Sequence, residues 1–469
     1  MGRFEDVHRR LQEDLPRLVD DHEVPGASVA VLVDGQVMEA AAGVVNLRTG
    51  VDVTPDSLFM IQSITKVWTA TLVMQLVDDG LIELDVPVRT YLPGFRTADE
   101  RASAEITARH LLTHTGGFEG DIWTATTAGE DALQRFVEDL MPGSRQHARP
   151  GEMYSYCSAG YGVLGRLVEV LRETSYATAL RRYLAGPLGI EETAFCADEA
   201  LAFRTAIGHG RSRPQAALQP LKVWAVMPPS NPAAGNQLAM SARGLIAFAG
   251  MHLADGLTPD GTRLLSSASA RAMRERQVDH PAAIGERGGH GLGWMLSKRL
   301  GLVDHGGDTI GVAALLRMVP EQGIAVAVLT NGGAAGPLVD NLLDPLLRDL
   351  AGIEPAPKLP SPDAEARVPD PARYVGRYQT RPTLGEVTLD EDGRLWLTVS
   401  ERNEALTIAE AAGVPAEQGR YELRRVDGDT FVLTDSSGAA VQACEFLGAD
   451  AAGRARFLHR SGRAAARIN

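Results

Sequence analysis

At 469 residues the chain exceeds one ordinary domain, and its 44% hydrophobic and 23% charged residues describe a globular protein with ample core material. A formal net charge of −14, with no lysine- or arginine-rich run, argues against nucleic-acid and anionic-membrane partners. Cys157, Cys196 and Cys444 are too few and too scattered for a disulfide framework or a zinc-ligand spacing.

The start of the chain, Met1-Gly2-Arg3-Phe4-Glu5-Asp6, has no apolar signal-peptide core, and no apolar run is long enough to span a bilayer, so a cytoplasmic location is expected. Residues 4–22 carry helical periodicity through Phe4, Val7, Leu11, Leu15 and Leu18. Gly26 to Val33 reads as a buried strand that turns at Asp34-Gly35 into a second strand, Val37 to Val45. Asp56 to Phe59 leads into an apolar helix that carries Ser63 and runs to about Asp79-Gly80. A helix over 108–114 holds His110 and His114 at i,i+4. No glutamate follows His110 and no third ligand is evident, so capping or core histidines are expected there rather than a metal.

A turn at Pro150-Gly151 precedes Tyr154-Ser155-Tyr156-Cys157-Ser158 and an amphipathic helix over about 161–173. Residues 200–235, rich in proline, glycine and arginine, read as a long loop region over a cleft. Helices over 241–254 and 266–276 follow. Then come strands Leu292 to Ser297, Leu302 to Gly306, Val312 to Val319 and Ile324 to Thr330, and a helix over 336–351. The pattern predicts a large first domain over 1–353, a proline-rich linker over 354–373 and a small closed all-β barrel over 374–469. Short alternating runs such as Leu395 to Val399 and turns at Asp392-Gly393, Asp427-Gly428 and Ser437-Gly438 carry the last of these.

Ser63-Ile64-Thr65-Lys66 places a serine and a lysine on one helical face, one turn apart. A serine hydroxyl is a weak nucleophile unless a neighbouring base activates it. Only four of the 46 basic residues are lysine, and a buried lysine can lose its proton where an arginine cannot. From this motif alone a nucleophile and an ordinary helix cap stay equally open. The G-x-S-x-G elbow and the Walker A pattern are absent, and Gly289-His290-Gly291-Leu292-Gly293 has the wrong spacing for a dinucleotide. Tyr156-Cys157-Ser158 lies in a turn, where a tyrosine of depressed pKa can take the serine proton; Tyr154 is the fallback, or else a packed tyrosine. His305-Gly306-Gly307-Asp308 lies on a strand whose two glycines let a substrate carbonyl approach the backbone, and the amides of Ser63 and Asp308 then form an oxyanion hole.

In this order, the three stretches resemble the penicillin-recognising serine enzymes: class C β-lactamases, related esterases and D-stereospecific peptidases. The family pattern is S-x-x-K, Y-x-N, then K-T-G or H-x-G. The resemblance covers roughly residues 10–350 and includes Leu111-Leu112-Thr113-His114-Thr115-Gly116-Gly117, Pro150-Gly151 and Ser241-Ala242-Arg243. It implies an α+β, β-lactamase/transpeptidase-like domain, an antiparallel sheet flanked by helices with a helical subdomain. It also implies Ser63 as the acylated nucleophile, Lys66 as its proton partner, Tyr156 as general base, and His305 as the group assisting Tyr156 and a substrate carboxylate. Ser158 departs from the family's asparagine, which puts efficient β-lactam hydrolysis in doubt. His305 replaces lysine and is only partly charged near neutrality.

The arginine-rich composition and added β domain are further similar to actinobacterial serine hydrolases with a lipocalin-like tail, among them stand-alone penicillin-binding-protein-type thioesterases. That likeness implies release and macrocyclisation of a nonribosomal peptide from a peptidyl carrier protein, with Arg454 and Arg456 of the tail orienting the peptide unless they are simply solvated. It implies no cofactor and no metal. A cytoplasmic esterase, D-aminopeptidase or β-lactamase-like hydrolase is the alternative. A catalytically silent binding protein is a third reading, against which the intact Ser63, Lys66 and Tyr156 argue.

Overall fold

Two strands, Gly26–Val33 and Ile324–Thr330, carry almost no polar side chains, and both lie in the middle of a sheet covered on its two faces. In the computed structural model, which describes residues 3–281, 288–297, 301–354, 359, 362, 368–416 and 418–468, they pair antiparallel with each other. The sheet has nine strands in the order Val51–Asp52, Gln36–Asn46, Gly26–Val33, Ile324–Thr330, Val312–Val319, Leu302–Thr309, Met295–Ser297, Gly289–His290, Val278–Asp279. Side chains alternate between the faces. Val29, Val31, Val326 and Val328 pack with Leu11, Leu15, Leu342 and Leu346 of the helices Arg3–Asp21 and Ala335–Ala351. Ala30, Ala327 and Leu329 face Trp68, Leu72, Leu245 and Phe248 of the helices Thr65–Asp78 and Ala242–Leu253. Further helices of the first domain, including Ser158–Arg172, gather on this second face as a helical subdomain.

After the helix Ala335–Ala351, most of the proline-rich stretch expected over 354–373 lies outside the described residues. Eight antiparallel strands between Gly376 and Arg467 then close into a barrel, the first pairing with the last through Tyr378↔Arg467. Closure removes the exposed edges that so short a sheet would otherwise present. The architecture is the expected β-lactamase-like domain followed by a lipocalin-like barrel.

Three local expectations need correction. The strand read over Leu292 to Ser297 is confined to Met295–Ser297, because Gly293 adopts a φ of +96° that breaks an extended chain. The helix over 108–114 stops at Leu112, with His114 in a left-handed conformation at φ +57°. The tail is not purely β: Glu404–Ala412, with four alanines, forms a helix beside the barrel mouth. Its Ile408 and Ala412 pack on Leu221 and Val226 from the region expected as a loop over the cleft.

Candidate active site

The site is built around a strained turn. The strand Phe59–Met60, paired with Ala239–Met240, delivers the chain to Gln62, whose φ of +49° is rare for a residue with a side chain. Two glycines hold it there by close approach. A Cβ on Gly235 would lie 1.8 Å from the Gln62 carbonyl oxygen, and one on Gly307 would lie 2.2 Å from that of Ile61 and 2.9 Å from the Ser63 amide nitrogen. Gly307 is therefore a packing requirement of the nucleophile turn rather than a gap for substrate, while a Cβ on Gly306 would come no nearer than 3.8 Å to its neighbours. Beyond Asp304 the strand Leu302–Thr309 has no outer partner strand among the described residues, so the edge that carries Gly307 and Asp308 runs past Ser63.

The helix that follows is buried all round, every residue from Thr65 to Leu76 included, its few polar side chains among them. Lys66 is carried into the interior with it, 1% exposed. Its Nζ lies 2.9 Å from Ser63 Oγ and 2.9 Å from the Ala234 carbonyl. Asn231 fixes that carbonyl: its Oδ1 accepts from the Ala234 amide at 3.2 Å while its Nδ2 donates to the Ser158 carbonyl at 3.0 Å. Burial, reinforced by the positive charge of Arg463, brings Lys66 down to about 7. Near neutrality a substantial share of this amine carries a free lone pair beside the serine.

Tyr156 faces Ser63, whose hydroxyl partly offsets the effect of burial on the phenol, and its ring lies 5.0 Å from Lys66 Nζ. The depressed tyrosine pKa expected from the sequence is not what the structure holds. Burial pushes the phenol well above its ordinary value, so Tyr156 stays protonated and Lys66 is the group able to accept a proton. His305 is corrected in the same way. It is fully buried, its Nδ1 lies 2.6 Å from the Gly306 carbonyl, and burial followed by the Lys66 charge holds it down to about 3. It is neutral rather than partly charged, and it stands behind Tyr156 with ring centroids 6.3 Å apart. Tyr154 packs against His280 and His290 at centroid distances of 4.3 and 5.5 Å.

His110 and His114 serve the backbone. The Nδ1 of His110 accepts from the Thr107 amide at 3.2 Å, completing a capping box, and that of His114 accepts from the Cys157 amide at 3.0 Å. Among the described residues no three metal-ligating side chains converge.

The barrel reaches the site with an arginine, though not with the two singled out from the sequence. Arg454 pairs with Asp450 at 2.8 Å on the barrel itself, and Arg456 lies on Phe457, 3.5 Å from Glu152. Neither lines the cavity over Ser63. Arg463 does. Its guanidinium bonds to both carboxylate oxygens of Asp121, the Nη2–Oδ1 contact measuring 3.1 Å, and sits 5.0 Å over the Tyr156 ring. The hairpin that carries it is tied down by the Tyr156 amide donating to the Gly462 carbonyl at 2.8 Å and the Ala464 amide to Ser155 Oγ at 3.1 Å. Ser63, Lys66, Asp121, Ser158, Asn231, Asp308 and Arg463 line one cavity of about 570 Å³, whereas Tyr156, His305, Gly306 and Gly307 are not among its lining residues. Nothing in the sequence links Arg463 to Asp121, which lies 342 positions earlier.

A family model described as Beta-lactamase matches residues 11–391. Penicillin-binding protein 4 of Amycolatopsis lactamdurans is 42% identical over 378 residues, 79% of this chain and 97% of that protein. The crystal structure of SurE superposes with a TM-score of 0.79 at 28% identity, covering 99% of this chain and 100% of that one, the barrel included. The octameric penicillin-binding protein homologue from Pyrococcus abyssi shares the fold at a TM-score of 0.64 and 23% identity, over 94% of this chain and 96% of that one. With Ser63 and Lys66 joined at the head of a buried helix, this chain belongs to the beta-lactamase family, as a serine hydrolase of the penicillin-binding-protein type.

Proposed function

We propose that this protein is an acyltransferase that takes a linear peptide from a thioester onto Ser63 and releases it by attack of the peptide's own amine. It would act in trans as the thioesterase and macrocyclase of a nonribosomal peptide assembly line, with a peptidyl carrier protein as donor inside the cell. The observation that carries the reading is the 2.9 Å contact between Ser63 Oγ and a desolvated amine brought down to about 7.

In the first half-reaction neutral Lys66 accepts the Ser63 proton as Oγ attacks the thioester carbonyl. The resulting ammonium returns a proton to the departing thiolate, directly or through the Tyr156 hydroxyl. The backbone amides of Ser63 and Asp308 are assigned to the developing oxyanion. In the second half the roles reverse: Lys66 removes a proton from the attacking ammonium-derived amine, and Ser63 leaves with that proton. Asp121 and Arg463 line the cavity beside Tyr156, so the acyl group would sit in a space bounded by the barrel, where an amine tethered to the acyl chain has the advantage of proximity over water. The end-to-end likeness to SurE, one of whose structures contains D-Leu, supports a substrate with a D-residue at the acyl end.

The test is incubation with a linear peptide thioester bearing a C-terminal D-residue, read by mass spectrometry. The expected products are the head-to-tail macrocycle and an acyl adduct on Ser63. Linear acid alone would make the protein a hydrolase of the esterase or D-aminopeptidase kind, and absence of any adduct would remove the acyl-enzyme.

A further inference from the structure

We propose that Asn231 is a positioning residue for acylation, a single side chain that holds both the carbonyl facing Lys66 and the start of the helix behind Tyr156. The step it serves rests on the acyl-enzyme reading, whereas its place in the fold rests on the packing of residues 231–235. Asn231 is 3% exposed and caps the short turn Pro232–Ala234, its Oδ1 accepting from the Ala234 amide at 3.2 Å. That turn meets the nucleophile helix residue by residue. The Ala233 carbonyl accepts from Thr69 Oγ1 at 2.7 Å and the Ala234 carbonyl from Lys66 Nζ at 2.9 Å, while a Cβ on Gly235 would stand 1.8 Å from the Gln62 carbonyl oxygen. On its other side the turn lies against the helix Ser158–Arg172, where two glycines make room for it. A Cβ on Gly162 would come within 3.1 Å of Asn231 Nδ2, and one on Gly165 within 2.4 Å of the Ala233 Cβ. Asn231 Nδ2 then donates to the Ser158 carbonyl at 3.0 Å, two residues beyond Tyr156. A carboxylate would supply no donor for that second contact, and a hydroxyl is too short to make both.

The Ala234 carbonyl can only accept, so it takes one N–H of Lys66 in either protonation state. In the neutral amine this leaves one N–H and the lone pair for the two remaining directions, one of which points to Ser63 Oγ. A fixed carbonyl therefore restricts rotation of the amine and keeps the lone pair within reach of the serine proton. The same contact favours the ammonium, against the burial that brings Lys66 down to about 7. Arg463, Asp121, Cys157 and Asp308 also act on the Lys66 charge. Tyr156, His114 and His305 face it as well. Substitution at Asn231 leaves all of these residues unchanged.

The chain holds only four lysines, at 66, 222, 298 and 358, so lysine labelled with carbon-13 at Cε lets NMR of the full-length protein follow Lys66 directly, its signal assigned by loss in Lys66→Arg. Asn231→Ala removes both contacts. The Lys66 titration should then fall by about one pH unit, as expected for loss of a hydrogen bond to a charged group. Single-turnover acylation by an activated ester should drop roughly 10- to 100-fold at the high-pH plateau, with the KM for the ester little changed. Asn231→Ser keeps a capping oxygen but does not reach Ser158, so it should restore the native Lys66 titration while leaving the plateau about tenfold low. Should Asn231→Ala not fold, Asn231→Gly takes its place, since glycine is tolerated at a helix start. A Lys66 titration at its native value in the variant lacking both contacts, or equally shifted in Asn231→Ser, overturns the proposal, and so does a native plateau in Asn231→Ser. If no ester acylates Ser63 even in the native protein, the acyl-enzyme reading falls by itself. Asn231 is then judged by the Lys66 titration alone, lowered without the cap and native with the serine cap if it positions the lysine, and unmoved in both if it does not.

Discussion

Arg463→Gln should move the acid limb of Ser63 acylation upward without abolishing the chemistry. In the native site the Lys66 ammonium and the Arg463 guanidinium each lie 5.0 Å from the Tyr156 ring centroid, so about 10 Å at most separates them. At an effective dielectric constant of about 20, two like charges at about 10 Å repel by roughly 1.7 kcal/mol, a little over one pH unit. About a third of the Arg463 side chain remains exposed, so screening trims this to about one unit. Removing the guanidinium also leaves the Asp121 carboxylate, 3% exposed, without its counter-charge, and that carboxylate raises Lys66 further. The neutral share of Lys66 at pH 7 should fall from about half to about a tenth or less, lowering acylation about fivefold or more at that pH, with recovery near pH 9. The assay is single-turnover acylation by an activated ester from pH 5.5 to 10. Arg463→Lys should keep the limb in place, and Arg463→Gln with Asp121→Asn should return it towards the native position. A limb that stays put while the plateau drops would refute this electrostatic role and leave Arg463 as a purely structural or substrate-binding residue.

Lys66→Arg keeps the charge but cannot release its proton, so Ser63 acylation should fall by roughly two to four orders of magnitude, read with the same ester; near-native turnover would exclude Lys66 as the proton acceptor. Gly307→Ala places a methyl 2.2 Å from the Ile61 carbonyl oxygen and should uncouple the strand from the nucleophile turn, at a cost of about 1–3 kcal/mol in thermal unfolding and a large loss of acylation, while Gly306→Ala should cost far less. The buried histidines make the protein acid-labile. His280 and His459 are held down to about 4, His252 and His305 to about 3, and His114 and His290 well below their ordinary value, in every case chiefly by burial. Below about pH 6.5 the unfolded chain takes up protons that these neutral rings do not, so stability is full above that value and declines as pH falls towards 4, by up to about 1.4 kcal/mol per pH unit for each ring. A melting temperature that is flat between pH 6.5 and 5 would contradict it.

How much was legible in the sequence follows from how far apart the interacting parts lie. Gly26–Val33 and Ile324–Thr330 announce themselves because a strand buried on both faces needs an uninterrupted apolar run. Ser63 and Lys66 are visible as a pair because three residues of helix suffice to bring them together. The protonation states of Tyr156 and His305 were not legible, since they depend on burial, and burial is set by packing from the whole fold. Helix Glu404–Ala412 was hidden inside an alternating β context whose period dominated its alanine content.

Arg463 carries no sequence signal of its role, and the reason bears on how the two parts of the molecule work together. Arg454 and Arg456 stand out in the sequence, yet Arg454 is taken up by Asp450 on the barrel itself and Arg456 by Glu152 of the first domain. Arg463 follows a tight turn at Ser461-Gly462, and only the docking of that turn on Ser155 and Tyr156 carries its guanidinium to Asp121. The charge that helps bring Lys66 to about 7 is thus supplied by the barrel, and it is present only when the barrel is seated. A catalytic domain without its barrel would keep Ser63, Lys66 and Tyr156 in the chain but would hold a lysine of higher pKa beside an uncompensated Asp121. On the proposed acyl-enzyme reading, the barrel takes part in acylation through one arginine that lowers Lys66, and it also supplies part of the wall of the cavity over Ser63.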